Sequence, residues 1–314
     1  MRNFLSIPIL VTGLSFLYGC NDDSYNIRQA GEAEKLGEEK EPIIPDMVHI
    51  EGGVFVMGDF GATGKDGVWR PYFPAAMEQN AAHEVTLSSY SLGRFKITWE
   101  DFDNYLLANH LEPIERGLSK TWARKPFEQE PTSRFYGSKP AQVTWQEANN
   151  YCGWLGEKIG VPVTLPTSAQ WEFAARNRGS QDWVYPTHDG QPLHNHPELA
   201  KEVDETSSFV PVGSQLPANP LGLFDMAGNG MEWVQDWFSK EYYQERPTRV
   251  DPKGPEEGTQ RVVRNLGTDS LDFSFSRTGI SESLPSMMNP EWESVAEYTF
   301  RCAVQSPEPI KSRQ

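Results

Sequence analysis

Three cysteines, Cys20, Cys152 and Cys302, are the softest donors in the chain. No two of them stand in a Cys-x-x-Cys spacing, so no zinc ribbon is on offer, and three are too few for a disulfide scaffold. His194-Asn195-His196 sets two imidazoles two positions apart and could supply two metal ligands; the plainer reading of a proline-rich loop is exposure to solvent. Asp269, Ser270, Asp272 and Ser274 present hard oxygens, a set that suits calcium or magnesium and not monovalent copper. Trp233, Trp237 and Trp292 could line a ligand groove or pack a core built from loops. No acid, base and nucleophile stand together in a pattern that implies a reaction.

The elements that must position these groups follow from periodicity and caps. Met47-Val48-His49-Ile50-Glu51 and Val54-Phe55-Val56-Met57 read as two strands, and Gly52-Gly53 between them predicts a hairpin turn. A further strand reading runs from Val85 to Leu92. Thr98 caps a helix whose first turn is acidic, with Phe102, Tyr105 and Leu106 on one face. Thr144 and Glu147 form a capping box for the clearest helix, on which Trp145, Ala148, Cys152, Leu155 and Ile159 recur at helical spacing. Gly160 ends it and Pro162 follows. Thr167 and Gln170 make a second box for a helix that closes near Gly179, and Val163-Thr164 between the two helices is a short strand or turn. Beyond it, proline, glycine, asparagine and aromatics dominate to residue 304, which predicts loop-rich β structure fastened by polar networks, metal ions or disulfides.

Composition narrows the function classes. With 314 residues, 12% aromatic and 23% charged, the chain is long enough for a sizeable core and too apolar for general disorder. Forty-four acidic against 28 basic side chains give a formal charge of −16, which repels nucleic acid and anionic lipid headgroups. Residues 1–19 read as a signal peptide: Arg2, an apolar run from Phe4 to Phe16 too short to span a bilayer, then Leu17-Tyr18-Gly19-Cys20. That last tetrapeptide resembles the bacterial lipobox, which makes Cys20 the expected lipidated first residue; an ordinary secretory leader is the alternative. Residues 20–45 are expected to be an acidic flexible tether. Asn21, in place of the Asp that retains lipoproteins in the inner membrane, points to the outer membrane, facing the periplasm.

The order of motifs between residues 46 and 305 resembles the formylglycine-generating enzyme, or sulfatase-modifying factor, family. The matching segments are Met47-Val48-His49-Ile50-Glu51-Gly52-Gly53-Val54-Phe55-Val56-Met57-Gly58, His83-Glu84-Val85-Thr86-Leu87 leading to Phe95-Lys96-Ile97-Thr98-Trp99, and Pro140-Ala141-Gln142-Val143-Thr144-Trp145. More specific are Leu165-Pro166-Thr167-Ser168-Ala169-Gln170-Trp171-Glu172-Phe173-Ala174-Ala175-Arg176 and Gly222-Leu223-Phe224-Asp225-Met226-Ala227-Gly228-Asn229-Gly230-Met231-Glu232-Trp233. Arg261-Val262-Val263-Arg264 and Phe300-Arg301-Cys302 complete the pattern, and residues 306–314 are left as a tail.

This resemblance implies an α+β, loop-rich fold of the C-type-lectin-like kind. It also implies copper held by a cysteine pair after the Arg-Gly-Gly-Ser stretch. Here Arg264-Asn265-Leu266-Gly267-Thr268-Asp269-Ser270 and the residues following it contain no cysteine, so no copper is expected. The family position of Cys152 and Cys302 implies a disulfide; two separate buried thiols are the alternative. Position also implies a structural calcium at Asp225, Gly228, Gly230 and Glu232, and a second, weaker site at Asn195 and Asp204. Asp225 and Glu232 bonded merely to loop amides is the plain alternative. The function expected is a non-catalytic, lipid-anchored binding or scaffold module that meets a cell-envelope or secretion-system protein and no nucleic acid. A cysteine-independent periplasmic enzyme, like relatives in siderophore maturation, is the alternative.

Overall fold

The computed structural model describes residues 45–114, 124–197, 209–245, 249–265, 273–281 and 298–310. The leader, Cys20 and the tether through residue 44 lie outside the described residues, as do Asp204, Asp269, Ser270, Asp272 and Trp292. In chain order the elements are β1 (Met47–Ile50), β2 (Gly53–Met57), β3 (Ala62–Thr63), β4 (Trp69–Arg70), β5 (His83–Leu87), β6 (Tyr90–Gly93), α1 (Trp99–Ala108) and α2 (Trp145–Ile159). They continue with β7 (Val163–Thr164), α3 (Ser168–Ala175), β8 (Met231–Trp237), α4 (Lys240–Glu245), β9 (Gln260–Arg264), β10 (Thr278–Ser281), β11 (Tyr298–Thr299) and β12 (Ala303–Val304).

The hairpin expected at Gly52-Gly53 does not form. β1 pairs with β6, from Met47↔Gly93 to Ile50↔Tyr90, and β2 pairs with β5, from Gly53↔Leu87 to Met57↔His83. Both ladders keep one register, so 47–57 and 83–93 are the two arms of a single long antiparallel pair. Neither Gly52 nor Gly53 has the positive φ that a tight hairpin turn needs. Gly52 marks a close approach instead: a Cβ there would lie 2.1 Å from the Leu87 carbonyl oxygen. Its N–H donates to Ser89 Oγ across the interruption, at 3.0 Å.

β12 joins the other edge of β6 and pairs onward with β7, which makes the sheet β1-β6-β12-β7. A second sheet runs β10-β9-β8-β11, in which β11 lies parallel to β8. β3 and β4 form a separate ribbon. Among the described residues, no helix is long and apolar enough to cross a membrane.

The three capped helices begin where their caps predict. Thr98–Asp101, Thr144–Glu147 and Thr167–Gln170 are each reciprocal capping boxes, and Gly160 takes a left-handed φ of 73° to end α2. Every residue of α3 is buried, because the helix packs against β2 and β5 on one side and β8 and β9 on the other. No side of it faces solvent, and its polar residues Ser168, Gln170 and Glu172 are buried with the rest. α2 is joined to β8 by reciprocal indole bonds: Trp145 Nε1 donates to the Val234 carbonyl and Trp233 Nε1 to the Val143 carbonyl, each at 2.8 Å. Trp233 is therefore core, contributing roughly 2–3 kcal/mol by burial. Trp237 stacks on the Arg261 guanidinium at 3.3 Å, with Trp145 on the other side at 3.5 Å.

Candidate functional site

The Asp225–Glu232 loop is shaped by four residues with positive φ, Asp225, Gly228, Asn229 and Gly230, which turn its carbonyls inward. The group that meets them is a lysine. Lys96 Nζ donates to the carbonyls of Gly228 at 2.9 Å and Asn229 at 3.1 Å, and also to that of Gly230. It stands 3.7 Å from Glu232 Oε1. Arg301 takes the rest of that carboxylate, Nε to Oε2 at 2.7 Å and Nη2 to Oε1 at 2.9 Å, and also donates to the Gly93 and Phe224 carbonyls. Asn265 Nδ2 gives second donors to the Gly228 and Gly230 carbonyls, at 2.7 and 3.0 Å. Asp225 Oδ2 accepts from the Gly213 N–H and from Asn229 Nδ2.

Three of the four residues expected to hold calcium, Gly228, Gly230 and Glu232, thus meet two cations belonging to the protein, while Asp225 Oδ1 is buried with no hydrogen-bond partner among the described residues. A divalent ion at those oxygens would sit against a fixed ammonium and compete with a guanidinium for Glu232, so this donor set does not fit calcium. Of the second set, Asn195 lies exposed on a short turn, Leu193–Asn195, and Asp204 is outside the described residues.

Cys152, on the buried face of α2, is bonded to Cys302 just before β12, with 5.6 Å between the Cα atoms. The bridge closes a separation of 150 residues. In the chain-entropy account a loop of that size is worth about 5 kcal/mol. It ties an inner strand of the first sheet, β12, to α2.

A second buried charge network centres on Glu172 of α3. Its Oε1 accepts from the Gly58 N–H at 2.7 Å and from Arg176 Nη1 at 3.0 Å; its Oε2 accepts from Arg264 Nη2 at 2.7 Å. Burial alone would raise this carboxyl, but Arg264, Arg176 and Arg277 together hold it below its ordinary range. Arg264 also donates to the Phe275 and Ser276 carbonyls, which fixes the turn that leads into β10. Arg277 lies against the Tyr243 ring at 3.6 Å, and its guanidinium nitrogens have no hydrogen-bond partner among the described residues. Nearby, Asp236 accepts from the Ser168 N–H at 2.7 Å, and burial pushes its carboxyl up to about 6.

Ser274 is tied to the 183–184 backbone. Its hydroxyl donates to the Trp183 carbonyl and its N–H to the Val184 carbonyl, both at 2.8 Å. These bonds, with an aromatic cluster of Phe60, Phe273 and Phe275 packed by Tyr72, Phe73 and Tyr185, hold the 183–196 loop in place. The loop is closed by Tyr185 N–H to the Gly190 carbonyl, at 3.2 Å, and by His196 N–H to the Leu193 carbonyl, at 2.8 Å.

That closure separates the two histidines read together in the sequence. His194 is exposed, while His196 turns inward to Asp189, Nε2 to Oδ2 at 2.9 Å, with its ring 4.9 Å from the ring of His188. One ligand atom each from His188, Asp189 and His196 lie within 4.8 Å of one another. Asp189 Oδ1 is held from behind by the Gln191 N–H at 3.0 Å and the Thr187 hydroxyl at 3.3 Å. Partial burial raises the Asp189 carboxyl, but these bonds and the two imidazoles outweigh it and the carboxyl lies below its usual range.

Lys96, Arg301, Glu172, Arg264, His188 and Asp189 received no role from the sequence. Lys96, the arginines and Glu172 all sat inside recognised motifs, and the flanking Phe95 and Ile97 are the local signal that Lys96 is buried.

A family model described as the sulfatase-modifying factor enzyme 1-like domain matches residues 32–305. The Serine/threonine-protein kinase pkn1 of Chlamydia pneumoniae is 30% identical over 279 residues, covering 87% of this chain and 40% of that protein. The chain therefore spans about two-fifths of the length of the curated relatives it first matches. The formylglycine-generating enzyme of Streptomyces coelicolor is 40% identical over 174 residues, 51% of each chain. Among solved structures, PvdO from Pseudomonas aeruginosa aligns with a TM-score of 0.58 at 23% identity, over 83% of this chain and 94% of that one. At that identity the likeness bears on the fold, which is of the formylglycine-generating-enzyme type. By the extent of the family match, the chain belongs to the sulfatase-modifying factor enzyme 1-like domain family.

Proposed function

We propose that this chain is a lipid-anchored module of the cell envelope that uses its domain to engage a protein partner and does not oxidise cysteine by the copper-thiolate route. The observation that carries the reading is how the cysteines are spent. Cys152 and Cys302 are joined to each other, and Cys20, the third, closes the lipobox-like tetrapeptide. A monovalent copper centre of the family's type needs two neighbouring thiolates, and this chain has no second cysteine to give. Lys96 and Arg301 add support for a scaffold, since they hold the glycine loop with the protein's own charges.

The test is a peptide carrying Cys-x-Pro-x-Arg, incubated with the full chain with and without copper and read by mass spectrometry. No conversion of thiol to aldehyde is expected. Conversion that persists after Cys152→Ser and Cys302→Ser would overturn the reading. A second reading, a cysteine-independent enzyme, is favoured by one observation, the convergence of His188, Asp189 and His196. The kinase activity named for the Chlamydia relatives stays with those longer proteins.

A further inference from the structure

We propose that His188, Asp189 and His196 form a binding site for a divalent first-row transition ion such as zinc, with at least one coordination position left open. Two imidazoles and one carboxylate are a donor set that zinc, iron and nickel accept. Three protein ligands are what a site with an exchangeable fourth position carries, and that position would take water or a small carboxylate.

The geometry is near what an ion requires. The three donor atoms lie within 4.8 Å of one another, and bonds of about 2.0–2.2 Å in a tetrahedron set donor separations of roughly 3.3–3.6 Å. Side-chain rotation of about an ångström closes the difference, with the His196–Asp189 contact of 2.9 Å opening slightly to admit the ion. His188 Nδ1 is buried and has no hydrogen-bond partner among the described residues, so one imidazole nitrogen need not give up a bond to become a ligand.

The support behind the ligands is also present. Asp189 points one oxygen at His196 and has the other fixed by the Gln191 N–H and the Thr187 hydroxyl. The one Thr187 proton is shared with the Gln191 carbonyl, which is nearer at 2.7 Å, so the Gln191 N–H is the firmer of the two supports. Gly190 makes the turn possible: its φ is +78°, and a Cβ there would lie 2.8 Å from Trp183 Cα. The loop is thus built to hold Asp189 in one orientation, which is the role that outer-shell groups play at metal sites.

The experiment uses the full chain stripped with a chelator, titrated with zinc by calorimetry and with cobalt by visible absorption. One zinc per chain is expected at this site, and the cobalt spectrum should show the strong bands of a four- or five-coordinate ion. Loss of an outer-shell partner typically costs 10–100-fold in affinity, so Thr187→Val should weaken zinc by about tenfold. His188→Ala, Asp189→Asn and His196→Ala should each weaken it by about a hundredfold or more. His194→Ala, on the exposed turn, should change nothing. Asp189→Asn is close to isosteric, and thermal melts of each variant in chelator separate lost binding from lost folding. Zinc affinity unchanged in His188→Ala and His196→Ala, binding only at millimolar zinc, or a cobalt spectrum of the hydrated ion would overturn the proposal.

Discussion

Replacing Lys96 by Met tests whether the glycine loop is held by the protein's own ammonium. The side chain is fully buried and its Nζ serves three carbonyls, those of Gly228, Asn229 and Gly230, beside Glu232. Methionine keeps the length of the stem and removes the charge. The carbonyls of Gly228 and Gly230 retain Asn265 Nδ2, and Glu232 retains Arg301, so the loss falls mainly on Asn229 and on the balance of charge. Hydrogen bonds from a charged donor are worth about 1.5–3 kcal/mol each, and removal of one partner from a buried charged group costs about 3–5 kcal/mol. Against this stands the desolvation of the ammonium, which the variant no longer bears. A net loss of about 3 kcal/mol is expected, which at this chain length lowers Tm by roughly 6 °C. The assay is thermal and urea unfolding of wild type and variant, each first stripped of transition ions and then measured with and without millimolar calcium. Wild type should melt at the same temperature in both, because the loop's oxygens already face a cation. A wild-type Tm that rises with calcium, together with a neutral Lys96→Met, would refute the reasoning.

Three further outcomes follow from other parts of the molecule. The double variant Cys152→Ala, Cys302→Ala should lose about 5 kcal/mol in urea unfolding, and an unfolding midpoint indifferent to reductant would contradict the bridge. The Asp236 carboxyl stands near 6 in the folded state, above its unfolded value of about 3.9. The native state therefore takes up the proton first, so stability rises as pH falls from about 6 towards 4 and is lost above 6. Asp236→Asn keeps an acceptor for the Ser168 N–H and removes the ionised form. It should be more stable than wild type by up to about 3 kcal/mol at pH 8, with the gap closing near pH 4; a gap that does not change with pH would show that Asp236 is not the titrating group. Cys20→Ser should move the protein from the membrane fraction to the soluble fraction, and unchanged fractionation would remove the lipid anchor from the proposed function.

What the sequence alone determined is what lies within a few residues along the chain. Thr98, Thr144 and Thr167 each find a partner three residues on, and Gly160 ends α2 by a conformation it adopts without steric cost. Those interactions close within one turn, so residue type and spacing suffice to read them. Membership of the family was legible for a similar reason, since its motifs are contiguous runs.

Only the tertiary structure decided the rest, because the contacts join segments far apart in the chain. Gly52-Gly53 reads locally as a reversal, but burial of β1 and β2 against β6 and β5 makes one long ladder the better use of the same residues. Lys96 meets its carbonyls 132 to 134 positions away, Glu232 meets Arg301 across 69, and Glu172 meets Arg264 across 92. Glycine-rich turns that look ready for calcium were closed by a lysine from a different strand end. His194 and His196, neighbours in sequence, were parted by the turn at Leu193–Asn195, which sent one to solvent and the other to Asp189 and His188. A charge or an imidazole carries no record in sequence of which buried partner will offset its desolvation; that is settled only when the chain has closed around it.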